Sequence, residues 1–362
     1  MTREGKGKAM HPTVSPKRRT LLAGAGALAL AAAGGWAWQR RNLPAGVHVL
    51  QGPTMGSSWT VKLFAPGLDA GGLAEARAAI DGALGAVVAR MSTFDPGSEL
   101  SRFNRHATDR PFALSPDTLR VLESAHSVSL ASKGAFDVTV APVVDAWGFG
   151  PHGGRAKPSD ADLAVARATV GWQALDLDRM AGTVAKAHPA VAIDLSGIAQ
   201  GYGADRVADA LDALGIADYL VDICGEIRTR GLNAARQPWR LGIERPDAPQ
   251  RQAHRIVPLS GQALATSGDY RIYFEDAGQR YSHEIDPATG APARHALASV
   301  SVVTSDATSA DAWATALFVL GPRAGHALAT SLGLAAYFIE RAANGLVERE
   351  TPAFATLGSR RA

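Results

Sequence analysis

The stretch from Ala265 to Thr315 constrains this chain most, because it sets polar clusters among segments that otherwise read as apolar strands and a helix. The three clusters are Thr266-Ser267-Gly268-Asp269, the run from His283 to Gly290, and the pair Asp311 and Thr315. A segment that only builds a core does not need this density of glycine, aspartate, threonine and histidine. The run therefore predicts a site for a phosphorylated ligand and a hard metal ion.

The bulk composition is that of an ordinary globular protein. The chain has 362 residues, of which 46% are hydrophobic and 20% charged, enough for one large domain or two smaller ones. Its single cysteine, Cys224, excludes an intramolecular disulfide and a cage of thiolate metal ligands. The fold must therefore be held by packing, and Cys224, at the end of an apolar strand, is expected to be a buried inert thiol.

Positive charge is concentrated at the N-terminus. Residues 1–41 hold eight Lys or Arg and one Glu, a net charge of +7, whereas the whole chain is +3, so the remainder carries −4. The body is mildly acidic and shows no basic stripe interleaved with aromatic residues. Nucleic acid is therefore not expected as a partner.

The segment 1–41 has the pattern of an export signal. The basic triplet Lys17-Arg18-Arg19 precedes a run rich in Ala, Gly and Leu. Adjacent arginines before a weakly apolar run resemble a twin-arginine signal, and that route predicts a folded protein exported to the periplasm. The alternative is a single membrane helix, for which the run from Leu21 to Trp38 is borderline in length. An uncleaved segment would then anchor the protein in the membrane.

Strand-like and helix-like segments follow one another without strict alternation, which favours the α+β class. Strands are expected at His48–Gln51, Trp59–Phe64, Val191–Leu195, Tyr219–Ile223, Trp239–Glu244 and Ala298–Thr304. Helices are expected at Leu73–Arg90, between Ser115 and Gly134, at Gly203–Leu214, and at Ala310–Leu320 before Gly321. No linker or repeat interrupts the body, and its most irregular part is the Gly/Pro-rich loop at 148–159.

The third cluster has two interpretations. Asp311 and Thr315 are four residues apart on a predicted helix, so they share one face. Two hard oxygens on one face suit Mg²⁺, which prefers oxygen ligands and keeps waters for substrate phosphates. The alternative is that Asp311, in a first turn, only interacts with the helix dipole.

The second cluster is a turn-rich loop. His283 has an unperturbed pKa near neutrality that suits proton transfer, although the loop is also consistent with a structural turn whose Asp286 bonds the backbone. The position four after His283 is Pro287, so the zinc-protease motif HExxH is not met.

Two further segments suggest ligand contact. The run from Asp194 to Gly203 predicts a Gly-rich turn before a helix, where backbone amides can face a phosphate, but it matches neither a Walker loop nor a dinucleotide fingerprint. Trp147-Gly148-Phe149 sets aromatic rings beside glycines, where a flat ring such as flavin could stack. The alternative for Trp147 and Phe149 is the core.

Together these segments resemble the ApbE family, the FAD:protein FMN transferases. Each motif is weak alone, but seven or eight in the right order are specific, and they span about His48 to Leu346. In chain order they are Met55-Gly56-Ser57, residues 92–101, 134–137 with 147–149, 194–197 with Gly201-Tyr202, Gly225-Glu226-Ile227, Thr266-Ser267-Gly268-Asp269-Tyr270, residues 283–292, and Asp311 with Ala314-Thr315.

The resemblance implies a fold and a reaction. The fold is one α+β domain of the T-fold kind over residues 46–350, with a mixed, mainly antiparallel sheet and packed helices. Members of the family cleave the pyrophosphate of FAD, move FMN onto a Ser or Thr hydroxyl of a partner protein, and release AMP.

The resemblance also implies the site. Mg²⁺ is expected on the Gly197 carbonyl, Asp311 and Thr315, and the catalytic residues are expected to be His283 and Asp311. The residues expected to contact FAD are Met55, Trp147, Gly148, Phe149, Asp194, Gln200 and Ile285. Two positions depart from the family pattern. Gln200 stands where Lys or Glu is frequent, so its ligand contact is expected to be weaker or different, and Cys224 replaces a small residue before Gly225, as a variation in packing.

Three functions stay open on the sequence alone. The first is the transferase, acting on exported domains of membrane redox complexes, such as Rnf- or Nqr-type subunits or the flavin-binding regulator of nitrous oxide reduction. The second is a Mg²⁺-dependent FAD pyrophosphatase that gives FMN and AMP. The third is a periplasmic FAD-binding protein without enzyme activity.

Overall fold

The computed structural model describes residues 43–362, and the compact unit within them begins at Gly46 and extends to Ala362. Its strands are β1 (Val47–Thr54), β2 (Ser57–Phe64), β3 (Phe112–Ala113), β4 (Leu175–Asp178), β5 (Thr183–Lys186), β6 (Tyr219–Ile223), β7 (Glu226–Arg230), β8 (Trp239–Glu244), β9 (Ala253–Leu259), β10 (Ala263–Gly268), β11 (Tyr273–Asp276), β12 (Gln279–Ser282), β13 (Ile285–Asp286), β14 (Ala291–Pro292), β15 (Leu297–Thr304), β16 (Ala335–Ala342), β17 (Gly345–Glu350) and β18 (Arg360–Arg361). Its α-helices are α1 (Ala70–Met91), α2 (Glu99–Arg105), α3 (Pro116–Ala131), α4 (Ala141–Ala146), α5 (Asp160–Arg167), α6 (Ala199–Ala213), α7 (Ala307–Ser331) and α8 (Pro352–Ala355).

An eight-stranded antiparallel sheet forms the centre of this unit. Its strand order is β1-β2-β6-β7-β10-β15-β16-β17. Because successive side chains of a strand point to opposite faces, each strand contributes to two cores. In β10, Ala263 and Ala265 belong to one hydrophobic core and Leu264 to another. The predicted α+β class, with a mainly antiparallel sheet and packed helices, is confirmed.

Helices α1, α6 and α7 cover one face of the large sheet. Their buried residues Ile80, Val207 and Leu317 share a core with the sheet. The three-stranded sheet β18-β9-β8 covers the other face and adds Trp239 and Val257 to the second core. None of the helices in residues 43–362 has the length and apolarity needed to span a membrane. The predicted signal segment 1–41 lies outside the described residues.

Two further cores lie beside this sandwich. One packs α2 and α3 with β4 and β5. The other is small and joins α4, α5, β12 and β13 through Trp147, Ala166, Tyr281 and Ile285. Two residues expected to contact FAD, Trp147 and Ile285, are therefore part of this fourth core.

Most of the expected elements are present, and the region before α6 is the exception. The segment Val191–Leu195 is not a strand, because Ile193 bonds through both its N–H and its carbonyl to the side chain of Asn104 rather than to a neighbouring strand. Helix α6 begins at Ala199 and not at Gly203, so both Gly201 and Gly203 lie inside it.

Helices α6 and α7 each place a carboxylate against the N-terminus of the other. Asp205 of α6 accepts hydrogen bonds from the N–H groups of Ala307 and Thr308, both at 2.9 Å. In return, Asp311 of α7 accepts a bond of 2.9 Å from the N–H of Gly201, in the first turn of α6. Each helix thus satisfies unpaired amides of the other.

Close approach of the two helices requires glycine at position 201. A β-carbon built on Gly201 would lie 2.2 Å from the carbonyl oxygen of Ala307 and 2.8 Å from the β-carbon of Asp311. Since the first contact is with backbone, no side-chain rotation can relieve it. Position 201 therefore fixes how closely Asp311 approaches the start of α6.

We expect Gly201→Ala to lower the free energy of unfolding by about 2 kcal/mol or more, because the two helices must separate to admit the methyl group. Gly82→Ala is the matched control, since Gly82 is also helical, in α1, and its β-carbon would meet nothing within 4 Å. The control should be neutral or stabilising by up to about 1 kcal/mol. Urea unfolding followed by circular dichroism measures both, and equal stabilities for the two variants would contradict this account of α6 and α7.

Candidate functional site

The three polar clusters of the sequence meet at the end of β10. The hydroxyl of Ser267, from the first cluster, lies 3.1 Å from that of Thr315 on α7. The N–H of Gly268 donates to Glu284 of the second cluster at 3.2 Å. Asp269 is held separately by a two-pronged ion pair with Arg341 of β16, at 2.6 and 2.7 Å. The polar density between Ala265 and Thr315 therefore reflects one convergent site.

The three predicted cation ligands lie close together. Asp311 is buried, and its Oδ2 is bonded to Gly201, which leaves Oδ1 outside that bond. Thr315 is one turn further along α7. Gly197 lies opposite, where an added β-carbon would be 3.1 Å from the Thr315 hydroxyl oxygen and 3.3 Å from the ring of Phe136. The absence of a side chain at Gly197 allows the backbone of this turn to approach Thr315.

The electrostatics of the site favour a cation. Burial raises the pKa of Asp311, and the acidic neighbours Glu284 and Asp205 add to that effect. Burial likewise raises the pKa of Glu284 to about 8, with Asp269 contributing in the same direction. A cation bound beside these two carboxyl groups would lower both pKa values and favour the ionised forms.

In residues 43–362, no group of three or more His, Cys, Asp or Glu side chains is arranged to hold a metal ion. The predicted magnesium set does not need one, because it consists of one carboxylate, one hydroxyl and one carbonyl. Oxygen donors of this kind, completed by water and phosphate, are what Mg²⁺ takes. The residues present therefore fit the predicted ion.

His283 is held as a neutral imidazole. Its Nδ1 lies 3.2 Å from the carbonyl oxygen of Ile272, which can only accept, so Nδ1 carries the proton and Nε2 keeps a lone pair. Desolvation lowers the pKa of His283 to about 4, and the charge of Arg155 acts in the same direction. The side chain is 35% exposed, and its Nε2 lies 3.9 Å from Oε1 of Glu284. A pKa this low leaves the ring unprotonated at neutral pH, so Nε2 has a lone pair but is a weak base there.

Of the two aromatic residues Trp147 and Phe149, the first is buried in a core and the second lies closer to the surface. Trp147 is 2% exposed, donates its indole N–H to the carbonyl of Gly290 at 2.8 Å, and stacks on Tyr281. Phe149 is only partly buried, and the guanidinium of Arg155 lies 5.6 Å from the centre of its ring. Of the two rings, Phe149 is the one that a flavin can reach from solvent.

Comparison with known proteins places this arrangement in a family. The sequence model described as "ApbE family" matches residues 55–338. The chain belongs to the ApbE family.

Named relatives and solved structures agree with that assignment. The protein named FAD:protein FMN transferase from Haemophilus influenzae is 41% identical over 313 residues, which cover 85% of this chain and 90% of that protein. The structure of the flavin transferase ApbE from Vibrio cholerae has a TM-score of 0.79 and 39% identity, and the match covers 87% of this chain and all of that one. The apo structure of the Pseudomonas stutzeri flavinyl transferase ApbE has a TM-score of 0.78 and 40% identity, covering 86% of this chain and 96% of that one.

The remaining residues expected to contact FAD lie at different parts of the site. Met55 occupies the β1–β2 turn, and its terminal methyl reaches α6, 3.2 Å from where a β-carbon on Gly203 would be. Gln200, in the first turn of α6, is partly buried, and Ile285 is 6% exposed. Gly148 is buried, and a β-carbon there would meet the backbone of Arg155 at 2.5 Å.

The turn before α6 is more self-contained than the sequence suggests. Asp194 accepts from the N–H of Ser196 at 2.7 Å, and Gly201 donates to Asp311. The N–H groups of Ile198 and Ala199 both bond to the carbonyl of Leu195. These amides are occupied within the chain, so the turn presents fewer of them to a phosphate than a Gly-rich loop of this kind predicts.

Three site residues were not singled out from the sequence. Ser267 and Glu284 lie inside polar clusters that were recognised, but their partners Thr315 and Gly268 are assigned only by the fold. Asp205 carries no local signal, since an aspartate within a helix is usually solvated. Asp286, by contrast, behaves as a structural turn residue, because its carboxylate accepts hydrogen bonds from Ala288 and Thr289 of its own loop.

The raised pKa of Glu284 predicts how the stability of the metal-free protein depends on pH. The pKa of Glu284 is raised from 4.5 to about 8 in the folded protein, so between these pH values the folded state holds a proton that the unfolded chain has released. The stability contributed by this group therefore falls as pH rises through that window. We expect Glu284→Gln to match the wild type at pH 5 and to be more stable by on the order of a few kcal/mol at pH 9.

Urea unfolding in the presence of EDTA at the two pH values tests this. Glu275→Gln is the control, because Glu275 lies on β11 with 60% of its side chain exposed and should show no such change. Stability differences that stay constant with pH for Glu284→Gln would contradict the burial argument.

Proposed function

We propose that this chain transfers the FMN half of FAD to a Ser or Thr hydroxyl of a partner protein, with Mg²⁺ bound and AMP released. The observation that carries the proposal is that the end of β10 meets both α7, through Ser267 and Thr315 at 3.1 Å, and the His283 loop, through the bond from Gly268 to Glu284 at 3.2 Å. The relatives named FAD:protein FMN transferase support the same reaction. The chain is therefore taken to be an enzyme that modifies another protein.

The cation would be held by Asp311, Thr315 and the carbonyl of Gly197. When bound, Mg²⁺ supplies positive charge that neutralises the pyrophosphate and favours departure of AMP. Because Oδ2 of Asp311 is already bonded to Gly201, Oδ1 is the oxygen available to the ion. The same hydrogen bond fixes the carboxylate, so its position does not depend on the ion.

The occupied amides before α6 support a role for the cation in neutralising phosphate. Ser196, Ile198, Ala199 and Gly201 all donate their N–H groups within the chain. Few donors therefore remain there for phosphate oxygens, and the acidic surroundings of Asp311 would repel them. Phosphate binding at this place thus requires the positive ion.

His283 would take the proton of the acceptor hydroxyl. The hydroxyl oxygen forms a bond to the phosphorus of the FMN half while the bond from that phosphorus to the AMP oxygen breaks. The released proton goes to Nε2 of His283, whose lone pair is free because Nδ1 is the nitrogen that donates to Ile272. Phe149 and Arg155 beside it offer a ring face and a positive charge to the flavin end.

The acceptor is proposed to be an exported domain of a membrane redox complex, of the Rnf or Nqr type, or the regulator of nitrous oxide reduction. The twin-arginine pattern at Arg18 and Arg19 supports a periplasmic location for the enzyme and its acceptor. No segment of this chain matches an Asp-Gly-x-Ser/Thr-Gly-Ala-Thr acceptor motif, so the hydroxyl is expected to come from another protein.

The proposal is tested with protein lacking residues 1–41, FAD, Mg²⁺, and an acceptor domain that carries such a threonine motif. We expect an FMN-sized mass gain on the acceptor with matching release of AMP. Asp311→Asn should lower this rate by at least about 100-fold, because it removes charge from the cation site. Asp176→Asn, an exposed change on β4, is the control.

Three outcomes would change the proposal. Release of AMP without modification of the acceptor would indicate a pyrophosphatase. Tight retention of FAD with no AMP would indicate a binding protein. Unchanged turnover in Asp311→Asn would show that Asp311 does not serve the cation.

For the location, we expect Arg18→Lys together with Arg19→Lys to stop export, since the twin-arginine pathway reads the arginine pair and not the charge alone. Fractionation of cells that express the full chain should find the wild type in the periplasm and the double variant in the cytoplasm. Arg40→Lys with Arg41→Lys is the matched control, and export of both variants would contradict the signal assignment.

A further inference from the structure

Glu226 is a buried carboxylate beside the site that the proposed reaction leaves without a role. It is the first residue of β7 and pairs with Ile223 of β6 across a tight turn. The two turn residues, Cys224 and Gly225, have positive φ angles of 60° and 118°. This turn directs Glu226 inward, and the residue is only 8% exposed.

Only one of the two oxygens of the Glu226 carboxylate has a hydrogen-bond partner among the described residues. The backbone N–H of Thr266 in β10 donates a hydrogen bond to it. The second oxygen, Oε2, is buried and has no hydrogen-bond partner among the residues that the structure describes. An unpaired buried carboxylate oxygen is costly, so it is rarely kept without a ligand or water.

The surroundings of Glu226 are those of the predicted cation site. After desolvation, the strongest influence that raises its pKa is the charge of Asp311, followed by that of Asp222. The Cys224 thiol responds to the same group, since Glu226, Asp222 and Asp311 all raise its pKa. Thr266, which bonds Glu226, precedes Ser267, whose hydroxyl contacts Thr315. Ile227 pairs with Leu264 of β10, so Glu226 faces the same side of the sheet as Ala265 and Ser267, which is the side that α7 covers.

We propose that Glu226 is a further carboxylate of the cation site, and that its Oε2 accepts a hydrogen bond from a water molecule bound to the divalent ion. The inference rests on the use of Mg²⁺ in the proposed function. The contact is placed through water because the proposed direct ligands are already Asp311, Thr315 and the carbonyl of Gly197. Mg²⁺ keeps several of its waters, and groups that hold such waters orient the ion.

This role differs from a purely structural one in a measurable way. If Glu226 only bonded the N–H of Thr266, glutamine would replace it, because its amide oxygen can accept the same bond. If Glu226 serves the ion, glutamine removes the negative charge and one acceptor. The metal-free protein should then be as stable as the wild type or more stable, while the affinity for the ion falls.

The test is a titration of metal-free protein with MnCl₂, in which unbound Mn²⁺ is followed by electron paramagnetic resonance. We expect Glu226→Gln to bind Mn²⁺ about 10-fold to 100-fold more weakly than the wild type. Glu226→Asp, which keeps the charge, should recover part of the affinity. Thermal unfolding in EDTA should show no loss of stability for Glu226→Gln.

Glu348→Gln is the matched control, because Glu348 is a partly buried glutamate on β17 whose partners are Arg255 and Tyr337. It should lose stability in EDTA and keep its affinity for Mn²⁺. Equal Mn²⁺ affinities for the wild type and Glu226→Gln would overturn the inference, as would a loss of stability in EDTA like that of Glu348→Gln. Failure of the wild type itself to bind Mn²⁺ would overturn this inference together with the assignment of the cation site, and it is distinguished from the other outcomes because wild type and variant then fail alike.

Discussion

Helices α6 and α7 each place a carboxylate at the N-terminus of the other, and these contacts hold the two helices together. Asp205 takes the two amides that open α7, and Asp311 takes the amide of Gly201 in α6. Burying two carboxylates is costly, but each is compensated by amides at the positive end of a helix. Gly201 permits this arrangement, because any side chain there would meet the backbone of Ala307. Asp311, Thr315 and the Gly197 turn take their positions from that contact, so the site depends on how two helices pack.

The same contact explains why the acidic groups of the site have no basic partner. Asp311 is fixed by a backbone amide rather than by Arg or Lys, so its bond orients the carboxylate without neutralising it. Glu284 is treated in the same way by the amide of Gly268. Asp269, which does have an arginine partner, faces Arg341 and takes no part in the convergence. The fold therefore neutralises the acidic group that serves structure and leaves the groups at the site for an ion to neutralise.

The sequence is sufficient to predict elements whose hydrophobic pattern is local. It is insufficient where a distant side chain, instead of a neighbouring strand, bonds the backbone. Strands such as Trp239–Glu244 alternate visibly, and the structure has them with the same bounds. Val191–Leu195 is as apolar as a strand, but Asn104 satisfies Ile193 from a distant helix, which no local pattern reveals. The start of α6 is predicted at Gly203, four residues late, and a helix with glycines at positions 201 and 203 in its first turns is intrinsically weak. Tertiary packing against α7 and Met55 overrides that weakness.

The candidate site shows the same division. Three clusters within fifty residues could be recognised as polar, but their contacts could not, because Ser267 and Thr315 meet only after β10 and α7 pack together. Asp205 comes from an earlier helix, where nothing distinguishes it from a surface acid, and Glu226 is marked in the sequence only by the motif Gly225-Glu226-Ile227. An ion bound at this place would therefore join parts of the chain that are distant in sequence, namely the turn at Gly197, the strand pair β7–β10 and helix α7. Ligand binding to the folded state alone adds stability by mass action, so such an ion would stabilise the packing of α6 on α7 as well as neutralise substrate. The acidic site that makes the metal-free fold less stable is, on this argument, the same feature that couples metal binding to the integrity of the enzyme.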